Sequence, residues 1–153
     1  MGYKEDLQEG LLASSSLNTQ SMLEALNAAI SQSPERSQVL AAFDMSTGTM
    51  VVGIAESKGK AFMRTNIFAS VANRGKFVPA LTAPIVITVN DSGCKVAVSI
   101  KEYTTHQMTV SGFIPAGSKS VDAIDQYREF ITDLARAIKS ADRDAEVTFT
   151  GRR

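Results

Sequence analysis

The chain has 153 residues, 44% of them hydrophobic and 21% charged, with 16 cationic and 16 acidic side chains and a net charge of zero. That length and balance predict one soluble globular domain with its own core, and zero net charge argues against a protein that coats duplex DNA. Cys94 is the single cysteine, so no intrachain disulfide can form and the chain reads as cytoplasmic. No apolar run approaches the roughly 20 residues that span a bilayer. The acidic start Met1-Gly2-Tyr3-Lys4-Glu5-Asp6 lacks a signal-peptide pattern.

Tyr3, Leu7 and Leu11 recur at four-residue spacing and predict at most a short helix. Gly10 and the run Ser14-Ser15-Ser16 interrupt it. Residues 1–16 are therefore expected to be a mobile or weakly helical segment, with a single domain over residues 17–150. A firmer helix is predicted from Thr19 to Ser31, where Met22, Leu23, Leu26, Ala29 and Ile30 form one stripe and Ser21 with Glu24 has capping-box spacing. Ser33-Pro34 stops it, because the residue before proline avoids the helical region.

The period then changes to two. Val39, Ala41 and Phe43 alternate, Ser46-Thr47-Gly48 turns, and Met50, Val52 and Ile54 alternate again, which predicts a hairpin. Ile85–Val89 and Val96–Ile100 flank Asn90-Asp91-Ser92-Gly93 as a second hairpin. Between the hairpins, Ala61–Asn73 fits a strand or a helix, and its β-branched and aromatic content favours the strand. Lys76–Pro84 reads as an irregular loop. A further strand is expected over Gln107–Phe113, with Met108, Val110 and Gly112 on one face, ended by Ile114-Pro115-Ala116-Gly117.

From Val121 to Ser140 the apolar residues Ile124, Tyr127, Ile131, Leu134 and Ile138 make a continuous helical stripe. Ser120 is placed to cap it, and Asp122 and Asp125 at its start, with Arg136 and Lys139 at its end, suit the helix dipole. A short strand, Glu146–Phe149, precedes the basic end Gly151-Arg152-Arg153. The predicted fold class is α+β: a curved antiparallel sheet of about five to seven strands covered by the long C-terminal helix, with one or two N-terminal helices. The helix-grip and pleckstrin-homology-like outlines share this order of elements. That is an analogy of order alone, since no motif residues match.

Charge is distributed unevenly. Residues 57–90 hold Lys58, Lys60, Arg64, Arg74 and Lys76 and no carboxylate, whereas residues 1–56 hold Lys4 and Arg36 against Glu5, Asp6, Glu9, Glu24, Glu35, Asp44 and Glu56. Such a stretch presents a positive field to an anion. If residues 61–71 form a strand, Arg64 shares a face with Phe62 and Phe68, a setting suited to a phosphate or carboxylate. The expected ligand-binding set is Arg64, Lys58, Lys60, Arg74, Lys76, Phe62, Phe68 and Met108. The competing expectation is that these cations scatter and pair with Glu24, Glu35, Asp44 or Glu56.

Nothing names a catalytic or metal-binding residue. His106 is the single histidine, and Cys94 lies twelve residues from it with no ligand spacing. Asp44, Glu56, Asp91 and Glu102 sit near strand ends without forming an evident acid–base pair. Lys58-Gly59-Lys60 lacks the glycines of a phosphate loop. The sequence thus favours a non-catalytic binding module with no cofactor, holding a partly apolar, anionic small molecule or lipid between the sheet and the C-terminal helix, with Met50, Met63 and Met108 as an adaptable lining. The alternative is an interaction or assembly protein, a homodimer or larger homo-oligomer joined through a sheet edge or the N-terminal segment. Nucleic acid ranks low, because the strands lack paired aromatics; peripheral contact with an anionic membrane remains compatible.

Overall fold

A computed structural model of the chain describes residues 3–56, 77–106, 109–110, 114–115 and 120–151. In chain order these form α1 (Tyr3–Asp6), β1 (Gly10–Ser15), α2 (Thr19–Ser31), β2 (Ser37–Asp44), β3 (Thr49–Ile54), β4 (Leu81–Asn90) and β5 (Gly93–Val98). Then come four two-residue strands, β6 (Thr105–His106), β7 (Thr109–Val110), β8 (Ile114–Pro115) and β9 (Ser120–Val121), followed by α3 (Ile124–Ala141) and β10 (Glu146–Thr150). Six strands make one antiparallel sheet in the order β10-β1-β5-β4-β3-β2, and β6 pairs with β9 and β7 with β8 in small separate ladders. The fold is α+β, with an open sheet whose edges are β10 and β2.

Both predicted hairpins and both long helices are present. Helices α2 and α3 pack on one another and, with the sheet, enclose a single core. From the sheet come Leu11, Met50, Val52, Ile54, Ile85, Val96 and Val98; from the helices come Met22, Leu26, Tyr127, Phe130, Ile131, Leu134 and Ile138, all nearly inaccessible to solvent. Alternation puts every second strand residue on this face. The opposite face carries Leu12, Ala97 and Val86 in one cross-strand row.

The N-terminal segment differs most from expectation. Residues 10–15, read from sequence as a helix breaker and the start of a serine linker, form a strand inside the sheet, paired with β10 on one side and β5 on the other. Gly10 belongs there for a steric reason: a Cβ at this position would run into the Val98 carbonyl of the neighbouring strand. The serines are anchored to the far end of α3. Asp142 Oδ2 accepts from the Ser15 hydroxyl at 2.8 Å, the Ser16 backbone N–H at 3.0 Å and the Ser16 hydroxyl at 3.2 Å.

Three smaller differences have local causes. The cap of α2 is Asn18, whose Oδ1 accepts from the Ser21 N–H at 2.8 Å, rather than Ser21 itself. Ser120 belongs to β9, and the N-cap of α3 is Ala123, which has φ 66° and gives no side-chain cap. Strand β4 begins at Leu81, inside the expected loop, and runs through Pro84 although it is a central strand. The Pro84 carbonyl accepts from the Ser99 N–H at 3.4 Å. Since N–H and C=O of one residue point the same way in an antiparallel strand, the missing donor also faces Ser99, just past the end of β5, so the absent bond falls at the end of the β4–β5 ladder and not within it. The ambiguous segment 61–73 lies outside the described residues. Among the described helices none is long and apolar enough to cross a membrane.

Removing residues 1–16 would take out a strand with partners on both sides. We expect the truncated chain to lose its cooperative thermal transition in circular dichroism. A transition of unchanged sharpness and temperature would show that β1 contributes little to the sheet.

Candidate functional site

Two charged clusters, each built around one buried side chain, flank α3. The first joins it to the N-terminus. Glu9, at the entry to β1, has a buried side chain held by Arg128, with Nε 3.0 Å from both carboxylate oxygens and Nη2 2.7 Å from Oε2. Arg128 also reaches Asp6 at 3.2 Å and Asp125 at 3.3 Å. The Asp6 Oδ2 accepts from the Val121 N–H at 3.3 Å, and the Tyr127 hydroxyl donates to the Glu9 carbonyl at 2.9 Å. Hydrogen bonding to Glu9 raises the Arg128 pKa further, and burial, then the Glu9 charge, raises that of Tyr127. Apart from the Arg128–Asp125 pair, which lies within α3, these bonds join the N-terminal segment to α3 and to the strand before it. The cluster ties α1 and β1 to α3.

The second cluster is centred on Arg36, in the loop from α2 to β2. Its backbone N–H donates to the Ser33 carbonyl at 3.0 Å, and its carbonyl accepts from the Ala55 N–H at 2.8 Å, which fixes it at the base of the β2–β3 hairpin. The side chain is 6% exposed. Its guanidinium lies over Phe130, 5.7 Å from the ring centroid, and Nη1 donates to Glu129 at 3.1 Å and Asp133 at 2.7 Å. Charge counting along the sequence passes over Arg36. What the sequence holds is a polar row on the helix, Gln126, Glu129 and Asp133 at i, i+3 and i+7 beside the apolar stripe, and the cation it meets is set by the fold.

Strand β2 presents a third feature. Ser37 is buried and its hydroxyl donates to the Ile30 carbonyl at 3.2 Å, but Gln38, Val39, Leu40, Ala41 and Ala42 are all exposed. Alternation would bury one of the two sets. Val39 pairs with Val52, whose side chain is fully buried on the helical side, yet Val39 is 40% exposed, so the helical layer does not cover it. Leu40 lies on the other side, over Gly53, where a Cβ would come within 2.9 Å of its Cδ1. The register shifts between Val39 and Ala41 and again between Ala41 and Asp44 are bulges. The run from Ser37 to Phe43 contains no charged residue. Leu40 at 47%, Val86 at 37% and Leu12 at 49% exposure extend this apolar character across the uncovered sheet face.

The eight expected ligand-binding residues, Lys58, Lys60, Phe62, Arg64, Phe68, Arg74, Lys76 and Met108, lie outside the described residues. Of the other residues weighed in the sequence, Cys94 is fully buried, and burial pushes its thiol pKa up, away from a reactive thiolate. Asp44 accepts from the Ser46 hydroxyl at 2.6 Å and backbone N–H at 2.9 Å, and these bonds, the hydroxyl first, hold its pKa down within the β2–β3 turn. Asp91 and Glu102 are exposed, and the backbone of His106 belongs to β6. Among the described residues no group of three His, Cys, Asp or Glu side chains is placed to hold a metal ion.

No known protein family, curated protein or solved structure matches the chain. Its function has to be read from its own surface.

The Asp142 anchor carries a pH dependence. Its pKa lies below the ordinary 3.8, first because of the Ser16 backbone N–H and then the Ser15 hydroxyl. A carboxyl whose pKa falls on folding adds stability above its unfolded value, and that contribution disappears as pH falls through the folded value. Wild type should therefore be more stable than Asp142→Asn at neutral pH, with the gap closing below about pH 4 in denaturant melts. A gap that stays constant into acid would mean the charge plays no part.

Proposed function

We propose that the protein is an assembly module whose β2 strand packs against β2 of a second copy. One observation carries this reading: four consecutive apolar residues, Val39 to Ala42, stand exposed on the edge strand. Edge strands of soluble monomers are normally blunted by charge or proline, and runs of three or four exposed apolar residues are rare without a function. Here the whole run from Ser37 to Phe43 is uncharged.

A second copy suits this surface in three ways. Two-fold antiparallel pairing sets like against like, which an uncharged strand tolerates and a charged one does not. The mate's own strand would cover Val39, which α2 and α3 leave bare. The opposite edge is a poorer match, because β10 begins at Glu146 and is followed by Arg152 and Arg153. The two bulges limit a regular main-chain ladder, so side-chain burial supplies most of the attraction.

The remaining surface is only half exposed before association, so the gain per side chain is well below the ~1.5–3 kcal/mol of a fully buried valine or leucine. Set against the entropy of association, this gives a reversible dimer with a Kd on the order of 10–100 µM. A ligand between the sheet and α3 is the competing reading. Its expected contacts lie outside the described residues, and the described part of that interface is filled by Met50, Ile85 and Val96 against Phe130, Ile131 and Leu134. That packing favours assembly over ligand binding.

Sedimentation velocity over roughly 5–500 µM tests the proposal, bracketing the expected Kd. The sedimentation coefficient of wild type should rise with concentration and that of Leu40→Lys should not. The substitution is at an exposed site and should change stability by no more than about 0.5 kcal/mol. Identical monomeric behaviour of both proteins over the whole range would reject self-assembly through β2.

A further inference from the structure

The phase of the sheet ladder decides which main-chain groups β2 offers at its open edge. In an antiparallel pair, residues whose N–H and C=O face the neighbouring strand alternate with residues whose N–H and C=O face away from it. The Ala55 N–H donates to the Arg36 carbonyl at 2.8 Å, so Arg36 faces β3. Along the register from there, Ser37 opposite Ile54 faces away, Gln38 opposite Gly53 faces β3, and Val39 opposite Val52 faces away.

The far side of β3 gives the same phase independently. The Pro84 carbonyl accepts from the Ser99 N–H, so Pro84 faces β5. Its partner Val51 therefore faces β2, and the next residue, Val52, faces β4. Ile54 agrees, its carbonyl accepting from the Ala80 N–H at 2.8 Å on the β4 side. With Val52 and Ile54 turned to β4, the residues opposite them, Val39 and Ser37, are turned to the open edge.

Only a short piece of that edge can take another strand. The Ser37 N–H already donates to the Ser33 carbonyl at 3.0 Å, within the loop from α2. Beyond Val39 the first bulge inserts Leu40 and brings Ala41 opposite Val51, so Ala41 faces β3 and the alternation breaks. That leaves Val39 with both an N–H and a C=O directed out of the sheet.

Two identical strands that pair antiparallel about a two-fold axis place one residue opposite itself. An axis at Gln38 would set Val39 against Ser37 and lose the bond from the occupied Ser37 N–H. An axis at Leu40 would set Val39 against Ala41, whose groups face the other way. An axis at Val39 lets each Val39 N–H donate to the other Val39 carbonyl. It also stands the two side chains next to each other on the helical side, where each is 40% exposed alone.

We infer that the two copies meet on a two-fold axis through Val39, joined by a reciprocal pair of Val39 main-chain hydrogen bonds. This rests on the assembly through β2 proposed above and gives it a register. A β-branched residue opposite itself is a favourable cross-strand pair, and it carries no charge to repel its mate. The Ser33 loop on one side and the bulge on the other end the ladder after that pair, which keeps the contact reversible.

Introduced cysteines test the register, because the single native cysteine, Cys94, is fully buried. The Cα atoms of the two Val39 residues would lie about 5.5 Å apart, within the reach of a disulfide. The two Ala41 residues, each two positions from the axis, would lie roughly 14 Å apart. Both sites are exposed, so neither change should disturb the fold. In the full chain at ~100 µM under mild oxidation, Val39→Cys should form a disulfide-linked dimer on non-reducing electrophoresis at least about tenfold faster than Ala41→Cys. Sedimentation of the wild type runs alongside. A wild type that dimerises while Val39→Cys bridges no faster than Ala41→Cys would overturn the axis and leave assembly through β2 standing. A wild type that stays monomeric would overturn both.

Discussion

The fold depends on one constraint: the strand Gly10–Ser15 has to sit between β10 and β5, which brings the two ends of the chain together at the centre of one half of the sheet. No local interaction could hold such a strand. It is secured from α3 at three points: Arg128 on Glu9, the Tyr127 hydroxyl on the Glu9 carbonyl, and Asp142, just past the helix, on Ser15 and Ser16. All three join residues more than a hundred positions apart. The loop-closure entropy is offset by a helix that already buries seven of its own side chains in the core.

This placement also decides where the molecule is open. With β1 inside the sheet and against α3, the helical cover lies toward that half, and α2 meets β2 at Ser37, whose hydroxyl donates to the Ile30 carbonyl. Strand β2 is left at the far edge with apolar residues bare on both faces. The chain covers its inner strands thoroughly and leaves Gln38 to Ala42 of β2 exposed, and the proposed contact surface rests on that contrast.

The sequence made the periodic elements plain. Helix α2 has the boundaries its stripe and the Ser33-Pro34 stop indicated, and the two hairpins follow their turn residues. Strand β1 was hidden because Leu11 and Leu12 are adjacent, Gly10 looks like a breaker and three serines look like a linker. Their roles depend on Val98 and Asp142, far away in sequence. The αL cap at Ala123 was illegible for a similar reason: the expected capping residue, Ser120, is drawn into a ladder with β6. The exposure of Val39 could not be read from alternation, which says that a residue faces the helices and not whether the helices extend that far. Arg36 was passed over because it is a single charge in an acidic region, and its partners emerge only when α3 is set against the β2–β3 hairpin.

The central claim is that β2 is covered by a second copy in solution. Amide hydrogen exchange of residues 37–44, followed at low and high protein concentration, addresses it strand by strand. The account predicts that these amides exchange more slowly as concentration rises, while those of β4 and β5, already paired on both sides, exchange at the same rate throughout. Exchange in β2 that is independent of concentration up to the millimolar range would contradict it.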